Sequence, residues 1–162
     1  MKHWLQRPIE VRNLFNPAFC GLVLHRAITA YQERDSRGMA FSMSLLVLPL
    51  SLHRQSREII HEGNRGFLLK TIAEHPQLQV GFAERCTDVL PFTLEALGLL
   101  SSMGALRVQD DGRLVALGDG VKKTVSGTEE SKATQRVATY IGKQFAAIGD
   151  SRTVYTTFGI RP

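Results

Sequence analysis

The segment from Pro91 to Leu117 constrains the fold of this 162-residue chain more than any other. Leu94, Leu97 and Leu100 recur at helical spacing after a proline, a residue that suits the first turn of a helix, and we expect all three to pack in the core. Gly104 ends this helix, and the residues after it alternate as two short strands joined by an Asp-Gly turn. A helix followed directly by a hairpin is the second half of a winged-helix domain. The sequence therefore predicts a mainly α fold with a small β-hairpin wing.

The charge of this predicted helix argues against DNA binding by its surface. No lysine or arginine occurs between Pro91 and Gly104, whereas Glu95 lies in the helix and Asp110 and Asp111 lie in the hairpin. A helix that enters a DNA groove needs cations for the phosphates and donors for the base edges. We therefore predict that this winged surface binds a protein, through Phe92, Glu95 and Asp110.

Composition fits one globular domain with an appended arm. The chain is 43% hydrophobic and 22% charged with a net charge of +5, so it can bury a core without disulfides. Cys20 and Cys86 show no pairing signature, and we predict two reduced, buried thiols. No secretory signal and no apolar run of transmembrane length is apparent, which predicts a cytoplasmic protein without membrane contact.

Residues 1–18 are expected to form an extended arm. The segment contains Pro8 and Pro17, which disfavour long regular elements, yet it has too many apolar side chains for a solvated tail. We therefore expect the arm to lie on the chain's own core or on a neighbouring subunit. Its protein contacts are expected to come from Trp4, Leu5, Arg7, Arg12, Leu14 and Phe15.

The rest of the chain divides into three parts. A helical, winged-helix-like core covers residues 19–117, a glycine-rich linker covers 118–127, and a C-terminal helix with a tail covers 128–162. The segment from Phe41 to Leu52 is apolar nearly all round, so a buried helix and a buried strand are hard to separate, but its length favours a helix. Further core helices are predicted over 18–34, over 64–74 with Asn64 as the cap, and over 76–90.

The chain contains no recognisable catalytic motif. Its five histidines are scattered without metal-ligand spacing, and its two cysteines form no CxxC pair. Phosphate-binding GxxxxGK[ST] and nucleophile GxSxG sequences are absent. We therefore expect a protein that is not an enzyme and that uses no cofactor and no metal.

A basic patch near the C-terminus suggests an alternative function. Lys132 and Arg136 are four residues apart and share a helix face, and Lys143 lies near the same face. Charges in this number would give modest, salt-dependent affinity for a phosphate backbone, so DNA is expected to be bound only weakly or indirectly. The candidate phosphate contacts are Lys122, Lys123, Lys132, Arg136 and Lys143.

Four blocks of sequence carry a resemblance to a known family. They read RPIEVRNLFNPAFCGLVLHRAI, GMAFSMSLLVLPLSLH, VGFAERCTDVLPFTLEALGLL and FGIRP. In combination they resemble the middle component of prokaryotic three-component ABC-ATPase systems. The similarity spans nearly the whole chain and is weakest over residues 117–128.

The resemblance implies an accessory subunit with no catalytic residues of its own. Such systems act in biological conflict and pair an ABC ATPase of the SMC or Rad50 type with an effector, often a nuclease. Lamassu-type anti-phage and anti-plasmid systems have this layout, and the chain resembles their small third subunit. The leading hypothesis is a scaffold that bridges or gates the ATPase and the effector subunit of the same operon. The alternative is a winged-helix DNA-binding regulator that uses the basic patch.

Overall fold

Helices form most of the chain in the computed structural model, which describes residues 4–63, 66–118 and 120–160. One small antiparallel sheet accompanies them, so the predicted mainly α class with a β-hairpin is confirmed. The helices are α1 (Ile9–Leu14), α2 (Pro17–Gln32), α3 (Phe41–Ser44), α4 (Val47–Leu52), α5 (Arg54–Glu62), α6 (Leu68–Glu74), α7 (Phe82–Ser102), α8 (Glu129–Ile148) and α9 (Ser151–Thr157). The strands are β1 (Met39–Ala40), β2 (Leu106–Val108) and β3 (Arg113–Ala116).

Helix α2 lies at the centre of the packing. It contacts α8, α7, α4 and the sheet, and its face toward them is completely buried. The closest approach is to α8, where a Cβ atom built on Gly142 would lie 2.0 Å from the carbonyl oxygen of Ala27. The two helices therefore touch backbone to backbone at this crossing, and any side chain at position 142 would force them apart.

The sheet has the strand order β1-β3-β2, with both pairs antiparallel. Gly104 ends α7 with a positive φ of 70°, and Gly112 has a φ of 78° in the turn between β2 and β3, as the hairpin prediction requires. Strand β1 was not predicted, because two residues are too few to show an alternating pattern. It places Met39 opposite Leu114 and ties the end of α2 to the hairpin.

Helix α7 corrects the prediction of two helices that meet at Pro91. The segment before it begins with a 3₁₀ turn at Pro76–Leu78, and a single helix then runs through Pro91 to Ser102. Proline removes one backbone hydrogen bond, but the buried side chains of Val89 and Leu97 continue on one face across the position, and their packing holds the helix together. Leu94 is a second correction, because 47% of it is exposed while Leu97 and Leu100 are buried.

The remaining helices agree with expectation with few changes. The segment from Phe41 to Leu52 is helical, although it forms two short helices, α3 and α4, rather than one. The predicted cap Asn64 lies outside the described residues. Helix α8 begins after Thr128, whose side chain accepts a hydrogen bond from the amide of Ser131, and it ends at Gly149.

Two polar side chains of α2 connect it to the end of the hairpin. The ring of His25 is buried, with Nε2 at 3.0 Å from the carbonyl oxygen of Leu117. Gln32 accepts a hydrogen bond from the backbone amide of Ala116 at 2.6 Å. Burial lowers the pKa of His25 and outweighs the opposing effect of its hydrogen bond to Leu117. The neutral imidazole is therefore the form that the folded chain favours.

Both cysteines are free thiols, as predicted, but only Cys20 is fully buried and Cys86 is half-buried. Burial raises the pKa of Cys20 to about 12 and that of Cys86 to about 11, so both are protonated and unreactive at neutral pH. Among the described residues, no helix has both the length and the hydrophobicity needed to cross a membrane.

The crossing of α2 and α8 predicts opposite effects for two glycine-to-alanine changes. Gly142→Ala places a methyl group against the Ala27 backbone and should lower the free energy of unfolding by about 3 kcal/mol. Gly98→Ala in α7 meets no atom within 4 Å and should raise it by about 0.5–1 kcal/mol. Urea unfolding of the native chain and of both variants measures these differences in the free energy of unfolding. If both variants changed the free energy of unfolding equally, the backbone contact between Gly142 and Ala27 would be contradicted.

The lowered pKa of His25 predicts a loss of stability in acid. The unfolded chain binds the proton more readily than the folded chain, so the free energy of unfolding should decrease as pH falls below the ordinary histidine pKa of about 6.5. The pKa of His53 is lowered in the same direction. His25→Gln should reduce the decrease, and His61→Gln, at an exposed position, should leave it unchanged. Unfolding curves between pH 7.5 and 5.5 measure both slopes.

Candidate protein interface

The N-terminal arm is helical rather than extended, which corrects the prediction from sequence. A 3₁₀ turn at Trp4–Gln6 leads through Pro8 into α1 (Ile9–Leu14). Pro8 precedes the helix, where its missing amide costs nothing, and Glu10 lies in the first turn, where the helix dipole favours an acidic side chain. Asn16 then caps α2 by accepting a hydrogen bond from the amide of Ala18 at 2.9 Å.

Two contacts fasten this arm to α7, and we call them together the arm clasp. Arg7 donates two hydrogen bonds to the carboxylate of Glu95, at 2.7 and 2.8 Å. The ring of Phe15 stacks on that of Phe92 with 4.2 Å between centroids and 11° between planes. The guanidinium of Arg7 also lies 6.0 Å from the centroid of Phe92. The Arg7 side chain is only 7% exposed, so the bidentate pair is well shielded from water.

The arm clasp brings the two predicted protein-binding surfaces into contact with each other. Phe92 and Glu95 on α7 are covered by Phe15 and Arg7 from the arm. The expectation that the arm lies on the chain's own core is therefore met on this side. The arm still exposes apolar surface that the clasp does not cover, which we call its outer side: Leu5 is 72% exposed and Ile9 is 58% exposed.

The other predicted interface residues are not gathered at the clasp. Asp110 is exposed in the hairpin turn and forms no hydrogen bond or ion pair with the described residues of the arm. Arg12 is half-buried, and its Nε atom has no hydrogen-bond partner among the described residues. The side chain of Trp4 lies outside the described part of the structure.

A cavity of about 460 Å³ lies beside the arm clasp, and sequence reasoning did not anticipate it. The arm contributes Leu14 and Phe15 to its lining, α4 contributes Leu48 and Leu52, and α7 contributes Val89. Four charged side chains also line it: Arg54, Arg85, Asp88 and Glu130. Four separate segments form the cavity, so no local pattern in the sequence could have revealed it.

The basic patch is only partly available for binding. Lys132 lies 2.8 Å from a carboxylate oxygen of Glu129, and Lys143 lies 3.3 Å from one of Glu33. Lys122, Lys123 and Arg136 are exposed. These cations therefore lie along α8 and the preceding loop, but Lys132 and Lys143 already form ion pairs and Arg136 interacts electrostatically with Glu129.

The loop that carries Lys122 and Lys123 is held on the helices by hydrogen bonds. Arg26 of α2 donates to the carbonyl oxygens of Lys122 and Thr124, and Gln135 of α8 donates to that of Ser126. The loop path therefore follows α2 and α8, even though the sequence is rich in glycine. Within the described residues no cluster of three or more His, Cys, Asp or Glu side chains is placed to hold a metal ion.

The arm clasp predicts a measurable coupling between Arg7 and Glu95. Removing either side chain leaves the other shielded charge without its bidentate partner, so Arg7→Ala and Glu95→Ala should each lower the free energy of unfolding by about 1–3 kcal/mol. The double variant should cost less than the sum of the two. Arg54→Ala breaks the exposed Arg54–Glu58 pair and serves as the control, with an expected change much smaller than that of either clasp variant. Additive effects of the Arg7 and Glu95 changes would contradict the clasp.

The arm clasp and the α2–α8 crossing both fall within a region of similarity to a single family. The chain matches the model of the ABC-three component (ABC-3C) system Middle Component 3 family over residues 4–162. No curated protein and no solved structure is significantly similar to it. The match covers nearly the whole chain, including the arm, both long helices of the crossing and the sheet. The chain therefore belongs to the Middle Component 3 family of ABC-three component systems.

Proposed function

We propose that this chain is a non-enzymatic accessory subunit that bridges or gates an SMC- or Rad50-like ABC ATPase and an effector in an anti-phage or anti-plasmid defence complex. Its membership of a middle-component family supports a role among other components of such a system. The observation that carries the proposal is the open side of the arm. Leu5 and Ile9, four residues apart, both expose more than half of their apolar side chains, and exposed apolar surface of this kind is typical of protein contacts.

Gating would follow from two positions of the arm. When the arm clasp is closed, Arg7 and Phe15 cover Glu95 and Phe92, and the arm's outer side faces a partner. When the clasp is open, Phe92 and Glu95 become available as well. A partner that binds one position more tightly shifts the population toward it, so DNA engagement by the ATPase could be transmitted to the effector through this equilibrium.

The alternative of a DNA-binding regulator receives less support from the charges. The ion pairs of Lys132 and Lys143 reduce the charge that those side chains offer to phosphate. Lys122, Lys123 and Arg136 remain, and a few such contacts give weak, salt-dependent binding. We therefore propose that this chain binds DNA indirectly, through the assembled complex.

The proposal predicts that the outer side of the arm is needed for assembly. Leu5→Asp and Ile9→Asp should each weaken copurification of the tagged chain with the ATPase and effector components at least tenfold, because both side chains are exposed and a charge there disturbs only a partner. Phe67→Asp is the matched control, since Phe67 is 72% exposed and lies outside the arm.

Other results of the same experiment would point elsewhere. Absence of binding to either component at micromolar concentration would contradict the accessory-subunit proposal. A chain that remains alone but shifts DNA at low salt would support the regulator instead, and reversing the charges of Lys122 and Lys123 should then weaken that shift for all sequences equally.

A further inference from the structure

A second apolar surface lies on the other side of α7 from the arm. Side chains advance about 100° per residue around a helix, so Phe92 and Glu95 lie on one flank of the buried face of α7. Leu97 and Ser101 lie on the opposite flank. This second flank faces the sheet across an open groove of about 390 Å³.

The groove is apolar on both walls. Helix α7 contributes Leu97, Gly98 and Ser101, and the hairpin contributes Leu106, Val108 and Leu114. No charged side chain lines it among the described residues, and Ser101 is the one polar member of the lining. Phe41, 42% exposed, and Val108, 58% exposed, leave large apolar surfaces at its opening. Gly98 keeps the groove wide, because a Cβ atom built there would meet nothing within 4 Å.

Two acidic residues lie in the hairpin turn beside the groove. Gly112, which lines one end, belongs to the hairpin turn that also carries Asp110 and Asp111. Asp111 lies 3.4 Å from Arg113, whereas Asp110 is exposed and forms no ion pair with any described residue.

The nearest basic residues of the hairpin lie on the other face of the sheet. Arg107 and Arg113 alternate with Val108 and Leu114, the residues that face the groove, and alternating residues of a strand point to opposite faces. On the other wall, α7 has no lysine or arginine after Arg85. Arg37 also interacts electrostatically with Asp111, so Asp110 is the charge near the groove that no described cation offsets.

We propose that the groove between α7 and the sheet binds an apolar segment of a partner polypeptide that carries lysine or arginine beside its apolar residues. The apolar walls would take the segment's aliphatic or aromatic side chains, and Asp110 would pair with its basic residue. The proposal rests on the accessory-subunit function and assigns it a second contact, separate from the arm. A subunit with one contact on each flank of α7 can hold two different partners at once.

The test uses the full chain expressed with the other two components, and variants that keep the fold intact. Gly98→Leu adds a large side chain at the groove where the structure has open space, and it replaces glycine inside a helix, so its melting temperature should rise. Val108→Asp places a charge at the opening. Both should weaken binding of one component at least tenfold. Val80→Asp is the control, because Val80 is 71% exposed and lies outside the groove.

Asp110→Lys tests the chemistry of the occupant. Reversal of this exposed charge should weaken the same component's binding several-fold at low salt and by less at high salt, because rim charges act through screened electrostatics. A native chain that binds a component, with Gly98→Leu and Val108→Asp binding equally well, would overturn the groove while leaving the accessory function intact. A native chain that binds neither component would overturn both.

A further experiment distinguishes a partner segment in the groove from a second copy of the chain. Light scattering of the purified native chain and of Gly98→Leu gives their masses. A native dimer that Gly98→Leu converts to a monomer would assign the groove to self-association and overturn the proposed partner segment.

Discussion

The contact between the backbones of α2 and α8 is the constraint on which the rest of the structure depends. Because Gly142 has no side chain, α8 approaches Ala27 closely enough for the remaining faces of α2 to meet α7, α4 and the sheet at the same time. His25 and Gln32 then fix the end of the hairpin to α2. The positions of the arm and of the groove both follow, since each is formed on a flank of α7, and α7 is placed by α2.

Helix type and hairpin chemistry were predictable from sequence because they depend on local signals. Gly104 and the Asp-Gly turn mark the end of α7 and the hairpin, and Thr128 marks the start of α8. The continuity of α7 through Pro91 was not predictable, because tertiary packing outweighs the local preference of proline. The exposure of Leu94 was missed for a related reason, since helical spacing identifies a face but not which of its residues a neighbouring element covers.

In the candidate site, too, the residues could be predicted from local sequence but their tertiary contacts could not. Its members Arg7, Phe15, Phe92 and Glu95 were all identified in the sequence, on account of their chemistry. That they bind each other could not be foreseen, because no local signal relates residues so distant in the chain. The groove was missed altogether. The open space of the groove depends on the missing side chain of Gly98, and a missing side chain adds nothing to a hydrophobic pattern in the sequence.

The arm clasp also has a consequence for how the chain emerges from the ribosome. Arg7 and Glu95 are 88 residues apart, so at the usual 5–20 residues per second the arm exists for roughly 4 to 18 seconds before its acceptor on α7 is made. During that interval the α7 side chains that complete the clasp, Phe92 and Glu95, are not yet present. The clasp can therefore close only after more than half of the chain has been made, and its formation is a long-range step rather than a local one.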